Sequence, residues 1–178
     1  MEKALLAIAS TGTQLAGFAK LERVLAALCI LNPILLIMAD GWHVRGSISA
    51  YYSMNEAQCF YLPLSIAAML FICNGVLQGA RAYNTLLGTA LMGVLAFNHD
   101  DWTTMHNTCA IAFFGGSAAV IVIYSPVDEL RFKWSLVAVI AASIAAWLSG
   151  YISLFAAEWI SLAIIGMHYI LESRGVIG

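Results

Sequence analysis

Charge is what this chain has least of. Only 10% of its 178 residues are Asp, Glu, Lys or Arg, and 62% are hydrophobic. Ordinary soluble domains carry about 25% charged residues. So few charges cannot give a chain of this length a polar surface, and the mean hydropathy of +0.86 agrees. Its solvent is therefore expected to be largely lipid, where only helices and closed barrels satisfy the backbone. The apolar stretches lack the alternation of a barrel strand, which leaves helices. There is no basic run and the net charge is −2, so a nucleic-acid partner is excluded. There is no CxxC. Cys29, Cys59, Cys73 and Cys109 lie far apart in or beside apolar stretches. They read as small buried hydrophobes rather than a zinc knuckle or a disulfide framework.

What is present is a series of long apolar runs. They predict an all-α integral membrane bundle of six transmembrane helices in a single domain, 1–178, with spans near 21–39, 57–77, 83–97, 108–124, 134–148 and 151–171. Pro33 and Pro63 fall inside the first two spans, and the fourth stops at Ser125-Pro126. The third run falls short of the ~20 residues a crossing needs. It is kept because charge placement requires it. With six spans, Lys3, Lys20, Arg23, Arg81, Arg131, Lys133 and Arg174 share one side and only Arg45 lies opposite. Cations gather on the cytoplasmic side of a membrane, so both termini are expected in the cytoplasm. The N-terminal segment 1–20 is broken by Ser10-Thr11-Gly12-Thr13-Gln14 and lacks the clean apolar core of a signal peptide. It reads as an interfacial helix or a cytoplasmic extension of the first span. The expected location is the bacterial inner (cytoplasmic) membrane. Gly75 with Gly79, Gly88 with Gly93, and the run Gly115 to Ala119 suggest close helix packing or a self-association face.

This topology sorts the polar chemistry to one face. The loop from Asp40 to Glu56 carries His43, Arg45, Ser47, Ser49, Tyr51 and Tyr52, and the loop from Asn98 to Asn107 carries His99, Asp100, Asp101 and His106. Glu158 follows about two turns into the last span from the same face. A carboxylate at that depth costs several kcal/mol unless paired or wetted, so it is expected to point into the bundle toward Arg45 or a histidine. His99 and His106, seven residues apart, share a helix face if the fourth span begins early. With Asp101 they form a candidate site for a divalent metal such as zinc, which takes imidazole and carboxylate ligands. The competing reading is a solvated loop whose acids cap the next helix. His168 lies about 15 Å deeper than Glu158 along the helix, out of reach of this cluster. Arg81, Arg131 and Lys133 read as topology anchors, and Trp42, Trp102, Trp134 and Tyr151 as an interfacial aromatic belt.

The stretch Arg45-Gly46-Ser47-Ile48-Ser49-Ala50-Tyr51-Tyr52, followed by His106 and the run Ala110 to Phe114, resembles the small bacterial multi-span membrane proteins of DUF998 type, over about Asp40 to Tyr124. No activity comes with that resemblance. A more distant similarity is to the CREST membrane hydrolases, which include alkaline ceramidases. It implies Ser49, Asp100 or Asp101, and His106 around a zinc. That group has seven spans and a paired-histidine motif in the last, where His168 stands alone here.

The chain is accordingly expected to be an accessory or structural subunit of a membrane complex. Its partners would be membrane lipid and other transmembrane subunits or a second copy. The alternative is a metal-assisted lipid hydrolase at the outer face, with His99, Asp101 and His106 as ligands and Glu158, Asp100 and Ser49 as catalytic groups. A small transporter or channel ranks last, since no internal repeat is present.

Overall fold

The computed structural model describes residues 2–77 and 81–177, with side chains described from Lys20 onward. Among the described residues there are six α-helices: α1 (Glu2–Ala39), α2 (Gln58–Leu77), α3 (Tyr83–Ala96), α4 (Thr103–Ile123), α5 (Leu130–Leu148) and α6 (Leu154–Ser173). Among the described residues there is no strand. Five helices are long and apolar enough to cross a membrane, in α1 over Lys20–Ala39. The sixth, α3, has 14 residues. At 1.5 Å per residue it extends about 21 Å, short of a ~30 Å hydrocarbon layer.

Several boundaries differ from the sequence expectation. α4 begins at Thr103, five residues early, because Thr103 and Thr108 bond back to the carbonyls of His99 and Thr104 and let the helix start in the polar loop. α6 begins at Leu154 rather than near 151, because Ser153 caps it by accepting the Ala156 N–H at 3.2 Å. The segment 2–19 is helical and continuous with α1, and its side chains lie outside the described residues. Gly79 lies outside them as well.

The helices pack mainly with their chain neighbours, and α6 returns along α1. Small residues permit this. A Cβ at Gly88 of α3 would sit 2.6 Å from the Ala68 carbonyl oxygen of α2, and one at Gly166 would meet the Ala26 oxygen of α1 at 2.9 Å. In lipid such close approach supplies the dispersion contacts that hold helices together. The core holds Phe71 perpendicular to Phe113 at 5.6 Å and near-perpendicular to Tyr169 at 5.5 Å. The Tyr169 hydroxyl donates to Asn84 across the α3–α6 gap. Outward-facing positions are apolar: Leu62, Leu86, Ile111 and Leu148 are all more than 60% exposed. A helical bundle with such a surface fits a lipid solvent rather than water.

Candidate functional site

The loops 40–57, 97–102 and 149–153 meet at one end of the bundle. α1 ends there on two left-handed residues, Gly41 (φ 66°) and Trp42 (φ 67°). They turn the chain so that the Trp42 N–H donates to the Ile37 carbonyl at 2.7 Å. Arg45 then folds back on Asp40 through Nε at 2.6 Å and Nη2 at 3.1 Å, and Nη1 reaches the Ala50 carbonyl. The buried Tyr51 hydroxyl donates to the His43 carbonyl and accepts the Arg45 N–H. Burial raises the Tyr51 phenol above its ordinary pKa. The segment 46–53 thus forms a rigid cap ending in a 3-10 turn, Ser49–Ser53. It is pinned to α6 by the Phe155 N–H bonding the Gly46 carbonyl at 2.9 Å. Tyr52 donates to the Asp100 carboxylate, which ties the cap to the loop before α4.

The hydrogen bonds from Arg45, and then its charge, hold the Asp40 carboxyl below the usual carboxylate range. A depressed folded-state pKa gives stability that is complete above the unfolded value of about 3.9 and is lost as pH falls through the folded value. The thermal stability of the wild type is therefore expected to exceed that of Asp40→Asn above about pH 4. The gap should shrink on further acidification. A gap unchanged down to about pH 2 would refute the ionic origin.

Beneath the cap lies a groove of about 540 Å³ between the outer-loop ends of α4, α5 and α6. Its polar end is lined by Ser47, Ser49, His99, His106, Asn107, Glu158 and Ser161. Its walls are apolar, with Ile111, Phe114, Ile144, Trp147 and Leu154. On the α4 side of the groove, Ile111 is 72% exposed. A space of about 30 Å³, lined in part by Ser49, His106 and Glu158, adjoins it and is large enough for a water molecule.

Glu158 sits one turn into α6. Its Oε2 accepts the Ile48 N–H at 2.6 Å, and the positive end of the α6 dipole lies close by. Arg45, one of its two expected partners beside a histidine, is engaged by Asp40, because the turn after α1 brings those two together. His106 is buried, and its Nδ1 lies 2.7 Å from the Phe97 carbonyl oxygen. A carbonyl only accepts, so Nδ1 carries the proton, and Nε2 of the neutral ring keeps its lone pair. The His99 ring meets His106 edge to face at 5.6 Å.

The structure thus brings Ser49, His99, His106 and Glu158 to one groove. Asp100 and Asp101 do not line it. Asp101 is held by Asn98, through the Asn98 side-chain amide at 2.8 Å and its own N–H at 2.7 Å. Among the described residues, no three His, Cys, Asp or Glu side chains form a group that could hold a metal ion. A structural zinc takes four protein ligands and a catalytic one three, so His99 and His106 would need donors from outside that set. Sequence reasoning missed Ser161 and Trp147 as groove residues. Ser161 was detectable, since it follows Glu158 by three positions on the same helix face.

The opposite end holds a second polar cluster. Arg81 bonds Glu22 at 2.9 Å and Glu172 at 2.6 Å, joining α1 to α6. Lys133 is 3% exposed and pairs with Glu129 at 3.0 Å. The His168 Nε2 lies 3.9 Å from Glu172. Arg81 and Lys133, read from sequence as membrane anchors, are also internal ion-pair partners.

No curated protein and no solved structure matches the chain. The resemblance to the DUF998 type and to CREST hydrolases is overturned, because the family model that matches is a different one. The Ser-Tyr stretch behind that resemblance is a folded cap, and the acids that CREST chemistry would use stand apart from the groove. The model of DUF7103 covers residues 31–173, and the chain belongs to this family of unknown function.

Proposed function

We propose that the protein is a multi-pass integral membrane protein that holds one lipid-like amphiphile in the groove between α4, α5 and α6, as an accessory or structural subunit of a membrane complex. The groove carries this reading: an apolar trough ending in a capped polar pocket. A volume of about 540 Å³ lies within the roughly 300–1,000 Å³ of small-ligand sites. A hydrocarbon chain fits the walls, and a polar terminus meets Glu158, His106 and the serines. In this reading all six helices cross the bilayer, α3 included. Both termini lie in the cytoplasm, for example beneath a bacterial inner membrane, and the groove opens toward the outer leaflet. The sorting of seven of the eight Lys and Arg residues to the other end supports that orientation. Protein purified in mild detergent is expected to carry about one extractable amphiphile per chain, seen by mass spectrometry of the extract. Ligand-free protein with a partner helix or second copy cross-linked into the groove would sink the proposal.

The free Nε2 of His106 favours one second reading, hydrolysis. His106 as general base would take a proton from water in the adjoining space, and the hydroxide would attack an ester or amide carbonyl. The proton would then pass to the leaving group. Ser49 and Glu158 would orient the reacting groups. A divalent ion held by His99 and His106 would assist if the substrate supplied further donors.

A further inference from the structure

The groove has an electrostatic sign, and resting on the amphiphile reading above, it narrows what the polar end of the ligand can be. One carboxylate, Glu158, lines it. Glu158 spends Oε2 on the Ile48 N–H, and Oε1 accepts no hydrogen bond from the described residues. No lysine or arginine lines the groove. Arg45 is not among the lining residues and is held by Asp40. The cations Arg81 and Lys133 lie at the far end of the bundle, paired with Glu22, Glu172 and Glu129. The remaining groups at the polar end are hydroxyls, one amide and two imidazoles. The Phe97 carbonyl engages His106 Nδ1, so in the neutral ring the lone pair is on Nε2. The wall beside them includes Trp147, whose ring face attracts cations.

An anionic phosphate or carboxylate headgroup would enter this pocket against Glu158 with no cation to receive it. Like charges close together in a low-dielectric site repel strongly. A neutral hydroxyl would satisfy Oε1 but would leave the carboxylate charge unbalanced. An ammonium group does both: it donates to Oε1 and to the His106 lone pair, and it neutralises Glu158. Intramembrane carboxylates are held by such pairing or by water.

We propose that the groove binds an amphiphile whose polar end is a protonated amine, with Glu158 as its counter-ion and Trp147 beside it. The hydrocarbon chain lies against Ile111, Phe114 and Ile144.

The test uses the full chain in nanodiscs of neutral phosphatidylcholine. Hexadecylamine, hexadecanol and hexadecanoate compete in turn with a bound fluorescent alkyl probe. The amine is expected to compete about tenfold more tightly than the alcohol, and the carboxylate more weakly than either. Glu158→Gln should bring amine and alcohol within about twofold of each other, mainly through loss of amine affinity. Where Glu158→Gln does not fold, Trp147→Leu keeps the carboxylate and should weaken the amine more than the alcohol. Alcohol or carboxylate binding as tight as the amine in the wild type would overturn the headgroup assignment and leave the amphiphile reading standing. So would a preference unchanged in Glu158→Gln, or equal weakening of amine and alcohol in Trp147→Leu. Failure of all three ligands, and of the probe itself, would overturn the amphiphile reading and this assignment with it. An added aminophospholipid identifies the source of the amine. Competition assigns it to a membrane phospholipid, no competition to a single-chain amine, and either result supports an ammonium site.

Discussion

Gly115→Leu is expected to weaken binding of long-chain amphiphiles by about tenfold or more while leaving the fold intact. Gly115 lines the groove, and a Cβ there would meet no atom within 4 Å. The leucine side chain therefore goes into the space the ligand would use. Gly115 lies about 18 Å along α4 from its first residue, at the deep end of the groove. Short chains should consequently be little affected and long chains strongly. Replacing glycine inside a helix by leucine also favours the helix by up to about 1 kcal/mol, so the melting temperature should hold or rise. The next residue supplies the control. A Cβ at Gly116 would sit 2.8 Å from Leu87 Cδ2. Gly116→Leu is expected to cost about 1–3 kcal/mol of stability through overpacking. Competition binding against chain length, with thermal unfolding of both variants, checks the pair. Unchanged long-chain binding in Gly115→Leu would refute the placement of the ligand.

Arg81→Met is expected to destabilise the bundle by about 3 kcal/mol, with α1 and α6 separating first. Arg81 is the cation shared by Glu22 and Glu172, whose side chains are 6% and 11% exposed. Removing it leaves two carboxylates close together in a poorly solvated place. Breaking one side of a buried pair usually costs more than the pair contributes. The Arg81 side chain is 24% exposed, which argues for the lower part of the ~3–5 kcal/mol range. Arg81→Lys keeps the positive charge for membrane topology but cannot reach two carboxylates with a planar fork. It should fall between wild type and Arg81→Met in chemical unfolding from mixed micelles. The double variant Arg81→Met with Glu172→Gln should recover part of the loss. Full stability in Arg81→Met would show that the pairs contribute nothing.

The two polar ends differed in how readable they were. The loops 40–57 and 97–102 were legible because charge and hydropathy assign each loop to an end of the bundle, and an end is a coarse property. Which groups share a space at that end is a finer one. Ser49, His106 and Glu158 line the groove, while Asp100 and Asp101 do not, since Tyr52 and Asn98 hold them elsewhere. Glu158 shares the groove with His106, one of its two expected partners, while the other, Arg45, forms a local pair with Asp40 five residues away. That pair depends on the left-handed turn at Gly41 and Trp42, which no periodicity announces. The Arg81 triad was invisible for a related reason. Glu22, Arg81 and Glu172 lie on different helices or their connections, and hydropathy treats each as an isolated charge at a span end.

Composition, apolar run length and charge placement were enough to predict the helical class, six helices and the sorting of the loops to two ends. Those properties follow from one local requirement, that every peptide group in an apolar solvent find its partner within its own helix. The groove, the orientation of His106 and the bond from the Ile48 N–H to Glu158 came only with packing. They depend on how far α4 and α5 stand apart and on which loop atoms reach α6. Such distances are set by contacts between residues remote in the chain, and no single segment encodes them.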